Sequence, residues 1–103
     1  MYGLIGKMTA VTGQRDEFIA ALLEGTTSDP PMPGCLSYVV AKDPVDPDAV
    51  WITEVWIDKA SHQASLSLPS VRATIARARP MIAGFGPERF ETEPVGGLGL
   101  TKG

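Results

Sequence analysis

The stretch "EVWIDKASHQASL" sets a carboxylate (Glu54), an indole (Trp56) and the chain's single histidine (His62) in one short span. An imidazole with an ordinary pKa of about 6.5 takes up and returns protons near neutral pH. Such a group suits general acid–base work, taking a proton from a substrate and returning it. His62 reads equally well as an ordinary polar residue on a surface helix. Glu54 lies in an apolar strand pattern, where a carboxylate needs a partner or a raised pKa. It could orient His62 or accept a hydroxyl proton; the alternative is a structural ion pair with Arg72, Arg77 or Arg79. Trp56 offers a flat wall for a planar ligand, with an N–H at its edge, or else a core or interface side chain. Tyr38 could hydrogen-bond a substrate or sit half-buried in its strand. Arg72 and the two arginines after it could hold an anionic substrate at a rim, or simply face water.

Composition narrows the field. The chain has 103 residues, enough for one small domain, with nine basic against twelve acidic side chains and a net charge of -3. That balance lacks the basic footprint that phosphate neutralisation demands, so nucleic acid is not an expected partner. One Cys and one His exclude an intrachain disulfide and argue against a zinc site built from those ligands. No apolar run approaches the roughly 20 residues of a membrane-spanning helix. "MYGLIGKMTAV" lacks the features of a secretory leader, and a cytoplasmic location is expected.

Six elements of regular pattern, one of them interrupted, must position these residues. Tyr2 to Val11 reads as a first strand, in which Gly3 and Gly6 mark places of close packing against the backbone. Phe18, Ile19, Leu22 and Leu23 have helical spacing, with Thr12 as the expected N-cap and Gly25 as the stop. "TTSDPPMPG" must be loop, since its prolines remove amide donors. "CLSYVVAKD" and "AVWITEVWI" flank the turn "PVDPD" and should form an antiparallel hairpin. In the second of these strands Val50, Ile52, Glu54 and Trp56 share one face, and Trp51, Thr53, Val55 and Ile57 the other. Both faces are largely apolar, so the one without helices is expected to be covered by a second subunit, Trp51 included.

Asp58 is placed to cap a helix through "KASHQASLSL", which Pro69 should kink or end before a second piece running towards Pro80. Where His62 points depends on that break. On a continuous helix at about 100° per residue it borders the face of Ala64, Leu68, Val71 and Ile75. With a break, Leu66 could mark a different inward side and take His62 with it. "FGPERFETEPV" reads as an edge strand, with Phe90, Thr92 and Pro94 alternating against Glu91 and Glu93. The order β-α-β, β-α-β implies an α+β, ferredoxin-like split βαβ fold: a four-stranded antiparallel sheet with helices on one face. The domain should span 1–95, and the Gly-rich tail 96–103 should be loose unless a partner holds it.

"TGQRDEF", "PGCLSYVV" and "TEVWIDKASHQASL", in that order, resemble the antibiotic biosynthesis monooxygenase family, which includes quinol monooxygenases. Gly34, Cys35 and Tyr38 match a Gly-Cys-x-x-Tyr pattern, and Glu54 and Trp56 match a Glu-x-Trp at the end of the third strand. The resemblance implies a dimeric α+β barrel and a substrate cavity between sheet and helices. It also implies oxidation of a quinol or polycyclic phenol by dioxygen, without metal or flavin. The family's helix often carries His nine residues after that Trp and again five later; here those positions hold Ser65 and Ser70. His62 stands nearby as the candidate base, and Ser65 as a substrate contact. Gly6 and Ile75 occupy the positions nearest to those used by a haem-degrading branch, so haem is not expected. The alternative from another class is a non-catalytic, small-molecule-binding dimer of the same fold.

Overall fold

A computed structural model describes residues 1–27 and 32–100. Four strands, β1 (Tyr2–Ala10), β2 (Cys35–Lys42), β3 (Ala49–Trp56) and β4 (Ile82–Thr92), alternate with α1 (Arg15–Thr26), α2 (Lys59–Ser65) and α3 (Pro69–Ala78). A 3₁₀ turn, Arg79–Met81, joins α3 to β4. The sheet order is β2-β3-β1-β4 and every neighbouring pair is antiparallel. This is the ferredoxin-like arrangement read from the element order, with β2 and β4 as its edges.

Register sorts the side chains between the two faces. Tyr2 opposes Trp56, Leu4 opposes Glu54, Gly6 opposes Ile52 and Met8 opposes Val50, and these residues face the helices. Phe18, Ala21 and Leu22 of α1 and Ala78 of α3 pack on Ala10, Val50 and Ile52 in the main core. Leu23, expected on the same helical face, is 45% exposed. A second cluster joins Tyr2, Leu4 and Trp56 at the other end of the sheet, with Met32 and Cys35 against it. Ile5, Val39, Trp51, Val55 and Phe90 fall on the opposite face of the sheet, which none of the described helices covers.

Several local expectations shift. Thr12 is not the N-cap of α1: a turn closed by the Gln14 amide on the Val11 carbonyl (2.8 Å) delays the helix, and Gln14 takes the cap position. Asp58 does cap α2, accepting from the Ser61 amide at 2.7 Å. Pro69 occupies the first turn of α3, where its missing N–H costs nothing, so the pattern divides into two helices. β4 starts at Ile82, before Phe85, because Ala10 and Thr9 pair with Ile82 and Gly84. A register shift between Gly6 and Met8 then absorbs the Gly86–Pro87 segment. Gly3 is closely packed, since a Cβ there would lie 2.1 Å from the Thr92 hydroxyl, whereas at Gly6 it would meet nothing within 4 Å.

Within "TTSDPPMPG" residues 28–31 lie outside the described residues, as do 101–103 of the tail. Among the described residues no helix is long and apolar enough to cross a membrane.

Candidate active site

His62 reaches the sheet because three local features bring α2 down onto it. The Asp58 cap starts the helix immediately after β3. Gly34, at φ +80°, lets the chain pass beneath that start: a Cβ would lie 2.7 Å from Ser61 and 3.2 Å from Ile57. The Ile57 amide then donates to the Gly34 carbonyl at 2.9 Å. The break before Pro69 frees α2 from the line of α3, and His62 and Leu66 both line the cavity beneath.

The imidazole is held between two rings. Its centroid lies 5.5 Å from that of Tyr2 and 5.5 Å from that of Trp56, the latter nearly edge-on. Nε2 stands 3.9 Å from Glu54 Oε1, and both side chains are largely withdrawn from water (13% and 14% exposed). The same Glu54 oxygen accepts the Trp56 indole N–H at 3.0 Å. Burial pushes the Glu54 carboxyl above its ordinary value, opposed by the Trp56 N–H and by the charges of His62 and Arg89. None of the helix arginines supplies its partner: Arg77 pairs with Glu24 of α1, while Arg72 and Arg79 are exposed.

Tyr2, read from the sequence only as a strand residue, proves to be part of this arrangement. Its hydroxyl donates to Glu91 Oε2 at 2.7 Å, and Lys59 Nζ reaches that oxygen at 3.4 Å while lying 5.9 Å from the Tyr2 ring centroid. Because Lys59 is three residues before His62, this contact ties α2 to β1 and β4 on the side that carries the imidazole. Only long-range pairing could reveal that role for Tyr2.

A cavity of about 300 Å³ lies between the sheet and all three helices. Phe18, Leu22, Ile52, Val71 and Ile75 supply apolar wall, and Tyr38, Glu54, Trp56, His62 and Ser65 also line it. Tyr38 faces Glu54 across the β2–β3 pair. Its hydroxyl has no hydrogen-bond partner among the described residues, and burial, with Glu54 nearby, keeps it protonated well above the ordinary tyrosine range. Ser65 is buried, lines the cavity and donates to the His62 carbonyl at 2.6 Å, so its proton is committed and it can only accept from a ligand. Five of the six residues expected at the site therefore border one cavity. Arg72 does not: it is exposed on the outer side of α3 and absent from the lining. Cys35 is a half-buried thiol opposite Trp56, with its pKa raised by burial.

The arrangement offers a base beside a carboxylate, a neutral phenol donor and an aromatic wall, all around a mainly apolar space. Among the described residues no group of three or more His, Cys, Asp or Glu side chains is placed to hold a metal ion.

Known proteins share this framework. A chain from Chloroflexus aurantiacus J-10-fl, described as a candidate antibiotic biosynthesis monooxygenase, is 64% identical with a TM-score of 0.88, covering 97% of this chain and 98% of that one. Another candidate of that description, from Deinococcus radiodurans, has the same fold at 21% identity and a TM-score of 0.76, covering 95% of this chain and 96% of that one. A variant of SnoaB, a cofactor-independent oxygenase from Streptomyces nogalater, shares the fold at 14% identity and a TM-score of 0.75, over 94% of this chain and 95% of that one. No curated protein is significantly similar to the chain. The model of the family described as antibiotic biosynthesis monooxygenase matches residues 1–77, and the chain belongs to that family.

Proposed function

We propose that the protein is a cofactor-independent monooxygenase that oxidises a quinol or polycyclic phenol with dioxygen. The observation that carries this reading is the convergence of His62, Glu54 and Tyr38 on one mainly apolar cavity walled by Trp56. SnoaB, named as a cofactor-independent oxygenase, supports it by its shared fold.

In this reading a planar substrate lies along Trp56 with a hydroxyl towards His62. His62 takes the hydroxyl proton, and the imidazolium so formed is stabilised by the Glu54 carboxylate 3.9 Å away. The Trp56 N–H holds that carboxylate in place. Tyr38, which stays protonated, donates to a second substrate oxygen. Electron transfer from the anion to dioxygen, followed by bond formation at a ring carbon, gives a hydroperoxide. Loss of water from it leaves one oxygen atom on the ring: a quinol and dioxygen become a hydroxyquinone and water, so the substrate supplies all four electrons. The apolar walls shield the anion and the hydroperoxide from bulk water.

The reading includes a homodimer formed through the helix-free face of the sheet. Val39 and Phe90, each 53% exposed, are apolar side chains on that face.

Oxygen uptake with a panel of hydroquinones and anthrone-like phenols, corrected for spontaneous oxidation, tests the proposal. Protein-dependent uptake is expected, falling by about 10²-fold or more in His62→Ala, the scale of a lost general base. Uptake that survives the substitution would remove His62 from the chemistry. Ligand binding with no uptake for any substrate would favour the non-catalytic, small-molecule-binding dimer.

A further inference from the structure

The cavity does not end at Glu54. A second lobe of about 170 Å³ opens between β1 and β4 and shares Met8, Ile52, Glu54 and Phe85 with the first. Its floor is Gly6, in the middle of β1 and opposite both Ile52 and Arg89. The backbone there is ordinary strand, and a Cβ would meet nothing within 4 Å, so the glycine leaves space that the protein does not fill. A strand interior gains nothing from Gly in its own right.

The charges around this lobe are unevenly committed. Of the charged residues that line it, Lys7 and Glu88 lie 3.8 Å apart, and Lys7 also lies 3.9 Å from Asp43, outside the lobe. Glu91, next in β4, is held by Tyr2 and Lys59. Arg89 is different. It lines the lobe, its charge is felt at Glu54, Tyr2 and Glu91, and it makes no hydrogen bond or ion pair among the described residues. A guanidinium is a planar fork matched to a carboxylate, and an unpaired one beside an apolar slot is suited to receive it.

We propose that the lobe over Gly6 is a second subsite of the same cavity, in which Arg89 binds the carboxylate of a hydroxyaromatic acid whose ring lies against Trp56. This rests on the small-molecule reading of the main cavity and narrows it to substrates that carry an anion on the side away from His62. Gly6 supplies the room and Arg89 the charge. Arg72, the arginine expected for an anionic substrate, lies outside the cavity lining.

The test compares binding of 6-hydroxy-2-naphthoate and 2-naphthol, which differ only in a carboxylate at the end of the ring system away from the hydroxyl, by isothermal titration calorimetry. The unaltered protein should bind the naphthoate about tenfold more tightly, the scale of one charge-assisted contact. In Arg89→Gln the ratio of the two affinities should fall to about one. Gly6→Val, whose Cβ enters open space, should collapse the same ratio by filling the lobe. Arg89→Gln alters an exposed side chain, so it decides the matter even if the Gly6 variant folds poorly. Equal affinities in the unaltered protein, or a preference that survives Arg89→Gln, would overturn the subsite and leave the main cavity standing. Failure of both probes to bind would overturn the small-molecule reading and the subsite together.

Discussion

Glu54 is the residue on which competing forces are most directly opposed. Burial favours its neutral form, while the Trp56 N–H and the His62 charge favour the carboxylate, and burial prevails. A carboxyl whose folded pKa is raised contributes its stability fully below the ordinary value of 4.5 and loses it as the pH rises through the folded value. At neutral pH the ionised group therefore costs stability, which is expected of a side chain retained for chemistry. Glu54→Gln keeps an oxygen for the Trp56 N–H and removes the charge. Its urea midpoint should exceed that of the unaltered protein at about pH 7 and match it at about pH 4, while oxygen uptake falls. A lower midpoint at neutral pH would show that the carboxylate is a net structural asset.

At the scale of elements, the β2–β3 hairpin is fastened by Asp43. Its carboxylate accepts from the amides of Val45 (2.9 Å) and Asp46 (2.8 Å) and from the Trp51 indole (2.8 Å). The Asp46 amide, then the Trp51 and Val45 donors, draw its pKa down to about 2. That stabilisation is complete above the ordinary value of 3.8 and is lost as the pH falls through about 2. Asp43→Ala should lower the urea midpoint at neutral pH and flatten the decline of stability across that acid interval. The hairpin matters to the site because its register sets Tyr38 opposite Glu54. Slippage of β2 by one residue would turn Tyr38 to the other face, while pairing with β1 keeps Glu54 in place.

At the scale of the whole molecule, the sheet has one face packed by helices and one that no described helix covers. A chain of 103 residues has little core to spare, so covering Ile5, Val39, Trp51, Val55 and Phe90 with a second copy would add burial that a monomer lacks. Sedimentation equilibrium should find a dimer. Val39→Lys, which sets a charge on the exposed side of an edge strand, should shift it to monomer. A dimer indifferent to that substitution would have to use another surface.

The sequence by itself determined the order of elements, the hairpin, the apolar second face and the grouping of Glu54 with Trp56. Each of these follows from local periodicity or from residues close along the chain. The family motifs, read in order, led to the correct fold and family as well. Tertiary structure alone decided the direction of His62, because that direction depends on where α2 stops and on how closely Gly34 lets it approach the sheet. It also brought Tyr2 and Glu91, from opposite ends of the chain, to the side of the imidazole. The same kind of long-range pairing set Arg89 opposite Gly6 and left Arg72 facing outward on α3. Charge and spacing mark an arginine as available, but only the packing of a strand or helix against its neighbours decides which one meets the cavity.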